Sequence, residues 1–302
     1  MKYVAPSAPL SVGGVLDDWI RLFRCSFGAC WALALIGAIA GALVQFTTTP
    51  SLPKPGVSSF EHYLQYFSAL RAPPNFLISI AFWLILFVVY GALLVQQAAI
   101  VRGEEAFSFQ IALAKGLRRM PQMLLGWLLL VLIVVAISIP GGIGAAIFIP
   151  FRGTPLAVPL AALGLIALLI VLIYVMVRLQ LWLAAMFVEN RGGASSLGRS
   201  WDLVKGHWWR VTGISFVSGI LIWILSMAFG AVIGAAIGFM GVDRASPDAL
   251  VRQMQLIGAI GALARVLTVP LSTAVWLAIY HDLILRREGG DLEARAEALG
   301  GT

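Results

Sequence analysis

Apolar residues run in long stretches along this chain, and polar residues gather in the short segments between them. A helix needs about 20 apolar residues to cross the hydrocarbon core of a bilayer. Six stretches meet that length: Phe27–Phe46, Phe76–Ile100, Met123–Pro150, Leu156–Val188, Val211–Gly241 and Leu256–Ile279. The third contains Pro140-Gly141-Gly142, which predicts a kink or a re-entrant end. The fourth would be about 50 Å long as a helix, so it must tilt or project from the membrane.

The polar segments before spans one, three and five are themselves patterned. Val12, Val15, Leu16, Trp19, Ile20 and Phe23 recur at helical spacing, with Asp17, Asp18, Arg21 and Arg24 off that stripe. Phe107, Ile111, Ala114 and Leu117 form a second stripe, and Leu197, Trp201, Val204 and Trp208 a third. These predict amphipathic helices at the membrane surface over 12–24, 105–119 and 195–208. Each is followed by two spans, which reads as a threefold parallel repeat. The plainer explanation is that loops beside a membrane are generally amphipathic. The expected fold is all-α: one membrane domain over 1–302, a polytopic helix bundle with six transmembrane helices and three cytoplasmic interfacial helices.

Composition agrees. Hydrophobic residues are 60% and charged residues 12% of the 302, against roughly 45–50% and about 25% in soluble domains. Too few charges remain to clothe a water-facing surface, so a soluble, disordered or collagenous chain is excluded. Cys25 and Cys30 are the two cysteines. Five residues apart on a helix they point to different faces, so no disulfide framework or thiolate metal site is expected. Lys2, Pro6, Pro9, Asp17 and Asp18 precede the first apolar run. That is not the pattern of a cleaved signal peptide, and the N-terminus is expected to be retained.

Charge sets the expected threading. The net charge is +7. Fifteen of the 21 Lys and Arg residues fall on one side: Lys2, Arg21 and Arg24; Arg102, Lys115, Arg118 and Arg119; Arg178, Arg191, Arg199, Lys205 and Arg210; and Arg286, Arg287 and Arg295. Lys54, Arg71, Arg152, Arg244 and Arg252 fall on the other, and Arg265 lies inside span six. The positive-inside rule then places both termini in the cytoplasm. Basic residues that flank spans point to the bilayer and its anionic headgroups as partners, not to nucleic acid.

Arg178 and Arg265 lie within apolar runs, where burying a cation costs about 2.5 kcal/mol or more. No carboxylate occurs at mid-depth in any span. Two readings stay open for this pair: snorkelling or structural pairing through the long stem, or contact with an anion such as a lipid phosphate. Arg199, Lys205 and Arg210 join them as candidate headgroup contacts. A cytoplasmic polar collar is expected from Glu189, Asp202, Asp282, Arg286, Arg287 and Glu288, with Asp282 facing Arg178 or Arg199 and Glu288 facing Lys205 or Arg210. His62, His207 and His281 fall in separate segments. No zincin, nucleophile-elbow or phosphate-loop motif occurs. No catalytic residue, metal ligand or cofactor is therefore assigned.

Several of these residues also carry a resemblance: Arg178-Leu179, Val188-Glu189, Arg199-Ser200-Trp201-Asp202-Leu203, Lys205-Gly206, Trp209-Arg210, Tyr280, Asp282-Leu283 and Arg286-Arg287-Glu288-Gly289. The chain resembles the membrane domain of glycerophosphoryl diester phosphodiesterase, a family of bacterial six-span proteins, and the YciC-like inner-membrane proteins. The resemblance implies a stand-alone domain in the bacterial inner membrane without the phosphodiesterase barrel, whose roughly 240 residues no connection here has room for. A non-catalytic accessory or scaffold protein that contacts other membrane proteins or anionic lipids is the function expected. The alternative is a transporter or channel for a small molecule, lipid or ion that uses Arg178 and Arg265. An enzyme acting on lipid phosphodiesters is a weaker third reading, since no acid–base pair is visible.

Overall fold

A computed structural model of the chain describes residues 3–48, 73–148, 157–239 and 247–300. These are helical in long pieces: α1 (Val12–Thr48), α2 (Pro73–Val101), α3 (Phe109–Phe148), α4 (Ala157–Leu179), α5 (Trp182–Val188), α6 (Gly193–Val204), α7 (Trp208–Phe239), α8 (Pro247–Ala262) and α9 (Arg265–Gly300). Six segments are long and apolar enough to cross a membrane: Val12–Gln45, Asn75–Val101, Phe109–Gly141, Pro159–Val188, Trp208–Ala236 and Arg265–Arg287. A helix is the form that satisfies every backbone donor and acceptor without water. Large apolar side chains such as Leu163, Ile170, Phe216, Trp223 and Val232 point outward, a surface suited to lipid tails and not to water. The protein is an all-helical, multi-pass membrane protein.

The interfacial stripes meet their spans in two ways. Nothing between Phe23 and Phe27 breaks a helix, so the first stripe and the first span run together as α1. The second stripe likewise becomes the first turns of α3, with Pro121 tolerated inside. The third stands apart as α6. It ends at Lys205-Gly206-His207, where Gly206 has φ +87°, a left-handed conformation that glycine adopts without strain. The stretch expected as the sixth span is interrupted. Leu263 and Ala264 close a tight turn by N–H bonds to the Ile260 and Gly261 carbonyls at 2.9 and 3.1 Å, and α9 begins at Arg265.

The described chain divides into two compact units. The first comprises Met1–Ala5, Asp17–Arg118 and Phe216–Val275. Its core packs Cys30 and Leu33 of α1 against Val89, Ala92 and Leu93 of α2, with Ala112 and Val269. Helices α2 and α3 cross closely at Gly116, where a Cβ would come within 2.7 Å of the Ala92 nitrogen. Two buried side chains there donate to backbone carbonyls. Gln97 Nε2 donates to the Pro270 carbonyl at 2.8 Å, and Trp19 Nε1 to the Leu271 carbonyl at 2.8 Å. Near the N-terminus, the Tyr3 hydroxyl and Arg21 both donate to Asp18, at 2.9 and 2.6 Å. Burial, and then the Asp18 charge, push the Tyr3 phenol well above its ordinary range.

The second unit comprises Pro6–Leu16, Arg119–Ser215 and Trp276–Thr302. Its packing turns on two glycines. A Cβ on Gly193 would lie 2.3 Å from the Gln122 carbonyl oxygen, and one on Gly126 would lie 2.4 Å from the Trp182 ring. Helix α6 therefore lies directly on the backbone of α3, and Trp182 fills the space beside it. The Gly193 N–H donates to Gln122 Oε1 at 3.1 Å.

Candidate functional site

The second unit gathers most of the candidate polar residues, and it does so around a helix break. Helix α4 ends at Leu179 and α5 begins at Trp182, leaving terminal backbone groups without helical partners. Ser200 of α6 closes the gap. Its hydroxyl donates to the Arg178 carbonyl at 2.8 Å and accepts the Leu181 N–H at 3.2 Å.

Arg178 itself is 5% exposed, and its Nε has no hydrogen-bond partner. Its guanidinium lies 4.2 Å from the centre of the Trp201 ring and 5.4 Å from that of Tyr174. Tyr174 stacks on Trp208 at 5.9 Å and meets Trp201 edge-on at 6.2 Å. The Trp208 indole donates to the Tyr174 carbonyl at 3.2 Å. Two aromatic rings, Trp201 and Tyr174, with Trp208 stacked behind Tyr174, thus form a cradle at a cation that pairs with no carboxylate among the described residues. Aromatic faces attract a cation without neutralising it.

The half-buried Glu189 and the buried Asp282 of this unit are committed elsewhere. Glu189 accepts from Arg199 at 2.8 Å, from Arg191 and from the Tyr280 hydroxyl. Burial pushes the Glu189 carboxyl up, and those three hydrogen bonds outweigh it, so the group sits below its ordinary range. Asp282 is 3% exposed. One of its oxygens accepts from Arg210 at 3.0 Å and from Arg286 at 3.1 Å, and the other accepts the Leu10 N–H at 3.0 Å. The Leu10 carbonyl in turn accepts from both arginines.

These partners differ from those the sequence suggested for Asp282. Arg199 is drawn to Glu189, Arg178 turns to the aromatic rings, and Arg286 reaches Asp282 from one turn further along α9. Lys205 and Asp202 are both exposed and form no ion pair with each other. Arg287 Nη2 lies 3.5 Å from the Lys205 carbonyl, a weak contact. The Glu288 side chain lies outside the described residues. Arg265 belongs to the first unit. It opens α9 beside Phe82, at 5.4 Å, with its Nη1 buried and without a hydrogen-bond partner. Gly41 makes room for it, since a Cβ there would lie 1.7 Å from Arg265 Nη1.

Sequence reasoning passed over Tyr174 and Leu10, while Ser200 and Tyr280 were named for the resemblance and given no role in this site. Tyr174 carried a usable signal, because it stands four residues before Arg178 and so shares its helix face. Leu10 carried none, since it acts through its backbone.

Among the described side chains of this unit, eight cations, Arg119, Arg178, Arg191, Arg199, Lys205, Arg210, Arg286 and Arg287, stand against three carboxylates, Glu189, Asp202 and Asp282. The arrangement leaves a surplus of positive charge. Among the described residues, no group of three His, Cys, Asp or Glu is placed to hold a metal ion.

Residues 32–283 match the family described as Domain of unknown function (DUF7847). The chain belongs to that family. No curated protein and no solved structure matches it. The DUF7847 match takes in Arg178, Glu189, Arg199, Ser200, Trp201, Arg210 and Asp282, so the aromatic cradle and both carboxylates lie within it. Arg286 and Arg287 fall just beyond its end.

Proposed function

We propose that this protein is a non-catalytic accessory or scaffold protein of a bacterial inner membrane, and that its second unit engages anionic lipid headgroups. The observation that carries this reading is the state of the charges around Arg178. In this unit Glu189 and Asp282 each already bind two arginines and a third donor, so neither is free to act as a general base. Among the described residues of the unit, cations outnumber carboxylates and Arg178 has no carboxylate partner. Such a set attracts anions and has little means to move a proton. The charge asymmetry along the sequence supports a cytoplasmic position for this surface, where the leaflet is anionic. The resemblance to the phosphodiesterase membrane domain supports a lipid-facing role without catalysis.

Native mass spectrometry of the detergent-purified protein, offered phosphatidylglycerol and phosphatidylcholine of equal chain length, tests this. The expected result is preferential retention of phosphatidylglycerol. The double substitution Lys205→Gln/Arg287→Gln removes two exposed cations and should reduce that preference by about fivefold per cation. Equal retention of both lipids by the unsubstituted protein would overturn the reading.

A further inference from the structure

An apolar groove of about 600 Å³ opens between α3 and α4 in the second unit. Ile137, Pro140 and Gly141 of α3 and Gly164, Leu168 and Val171 of α4 line it. Its volume has a sequence cause. Gly164 has nothing within 4 Å of where a Cβ would stand, and Pro140 lies inside α3, where a ring without an N–H loosens the helix.

The groove and the cradle share one face of α4. Counting back from Arg178, Tyr174, Val171, Leu168 and Gly164 lie 4, 7, 10 and 14 residues away. Those are the spacings of a single helical stripe. Tyr174 and Val171, which stand between the cation and the groove on this stripe, are exposed at 43% and 46%. Along the axis Val171 lies about 10 Å from Arg178 and Gly164 about 21 Å. One leaflet of hydrocarbon is about 15 Å deep. The stripe therefore offers a cation at one end and an apolar channel at the depth of one lipid chain.

We infer that α4 holds one anionic glycerophospholipid, with its phosphate on the Arg178 guanidinium under Trp201 and Tyr174 and one acyl chain laid past Val171 into the groove at Gly164. This rests on the headgroup reading above and adds a particular lipid position to it. Arg178 is a buried cation with no carboxylate partner among the described residues, which a phosphate diester matches, and the groove is what free phosphate or a soluble anion would leave unused. The lipid is held as a structural ligand, with no bond made or broken.

The test is native mass spectrometry of the full chain loaded with dipalmitoyl phosphatidylglycerol, following the last lipid to leave as collision energy rises. Arg178→Gln and Gly164→Leu should each strip that lipid at clearly lower energy, with retention down roughly tenfold, the factor that 1.4 kcal/mol sets. Leucine at 164 is a better helix former than glycine and enters open space, so that variant folds and fills the groove. Unchanged retention in Gly164→Leu would overturn the chain position, even where preference for phosphatidylglycerol over phosphatidylcholine survives. Unchanged retention in Arg178→Gln would overturn the phosphate position. A parallel melting experiment uses inorganic phosphate alone, and stabilisation equal to that from the lipid would show a free-anion site and overturn the proposal. Loss of lipid preference in the unsubstituted protein would instead remove the headgroup reading beneath it.

Discussion

Asp282 is a buried carboxylate on which distant parts of the second unit converge. It satisfies two arginines and one backbone N–H from three separate segments. Alanine there would leave Arg210 and Arg286 facing each other and the Leu10 N–H without its acceptor. Breaking a buried pair from one side costs about 3–5 kcal/mol. The arginines retain some solvent, so about 2–3 kcal/mol is the expected loss here. Asp202→Ala removes an exposed carboxylate with no ion pair and should stay within about 0.5 kcal/mol of the parent. Melting curves of the two variants in detergent compare them directly, and equal shifts would show that Asp282 is an ordinary surface acid. That charged residues such as Arg178, Glu189 and Asp282 matter was legible, because a charge beside or within an apolar run stands out. Their partners were not. The Leu10 N–H lies 272 positions from Asp282, and Tyr280 lies 91 from Glu189; nothing local links such distant groups.

At the scale of elements, hydrophobic length announced six crossings and periodicity announced the amphipathic segments. Continuity was legible at residues 12–24, where nothing between Phe23 and Phe27 breaks a helix and the stripe leads directly into the first span, and was harder to read elsewhere. The break at Leu263-Ala264 has no breaker residue and left no trace in the pattern. The close seat of α6 on α3 is equally hidden, for a glycine in sequence looks the same whether it is crowded or free. Two glycines of α6 separate these cases. Gly193→Ala would drive a methyl into the Gln122 carbonyl and the Gly126 nitrogen, at 2.3 and 2.9 Å. Helix α6 would have to lift, at a cost of about 1–3 kcal/mol. At Gly198 a Cβ meets nothing, and alanine should stabilise by up to about 1 kcal/mol through helix propensity alone. Opposite signs in paired melting experiments are the expected outcome. Destabilisation by both would mean that α6 tolerates no side chain on either face.

For the whole molecule, composition alone excluded a soluble chain, and the six apolar helices agree with it. The sequence does not reveal that the chain divides into two units, each assembled from segments far apart in order, because assembly of that kind depends on contacts at long range. The claim on which the functional account rests is that the cation-rich surface of the second unit meets the cytoplasmic, anionic leaflet. Cysteine accessibility measures this most directly. On a background lacking Cys25 and Cys30, a single cysteine replaces Ala194, which is exposed at the start of α6, or Ser58 in the connection between the first two spans. A membrane-impermeant maleimide is then applied to intact spheroplasts and to inverted vesicles. The account predicts that Ser58→Cys labels from outside and Ala194→Cys labels only in inverted vesicles. Labelling of Ala194→Cys from outside would contradict it, because the cations around Arg178 would then face away from the cytoplasmic leaflet they are proposed to bind.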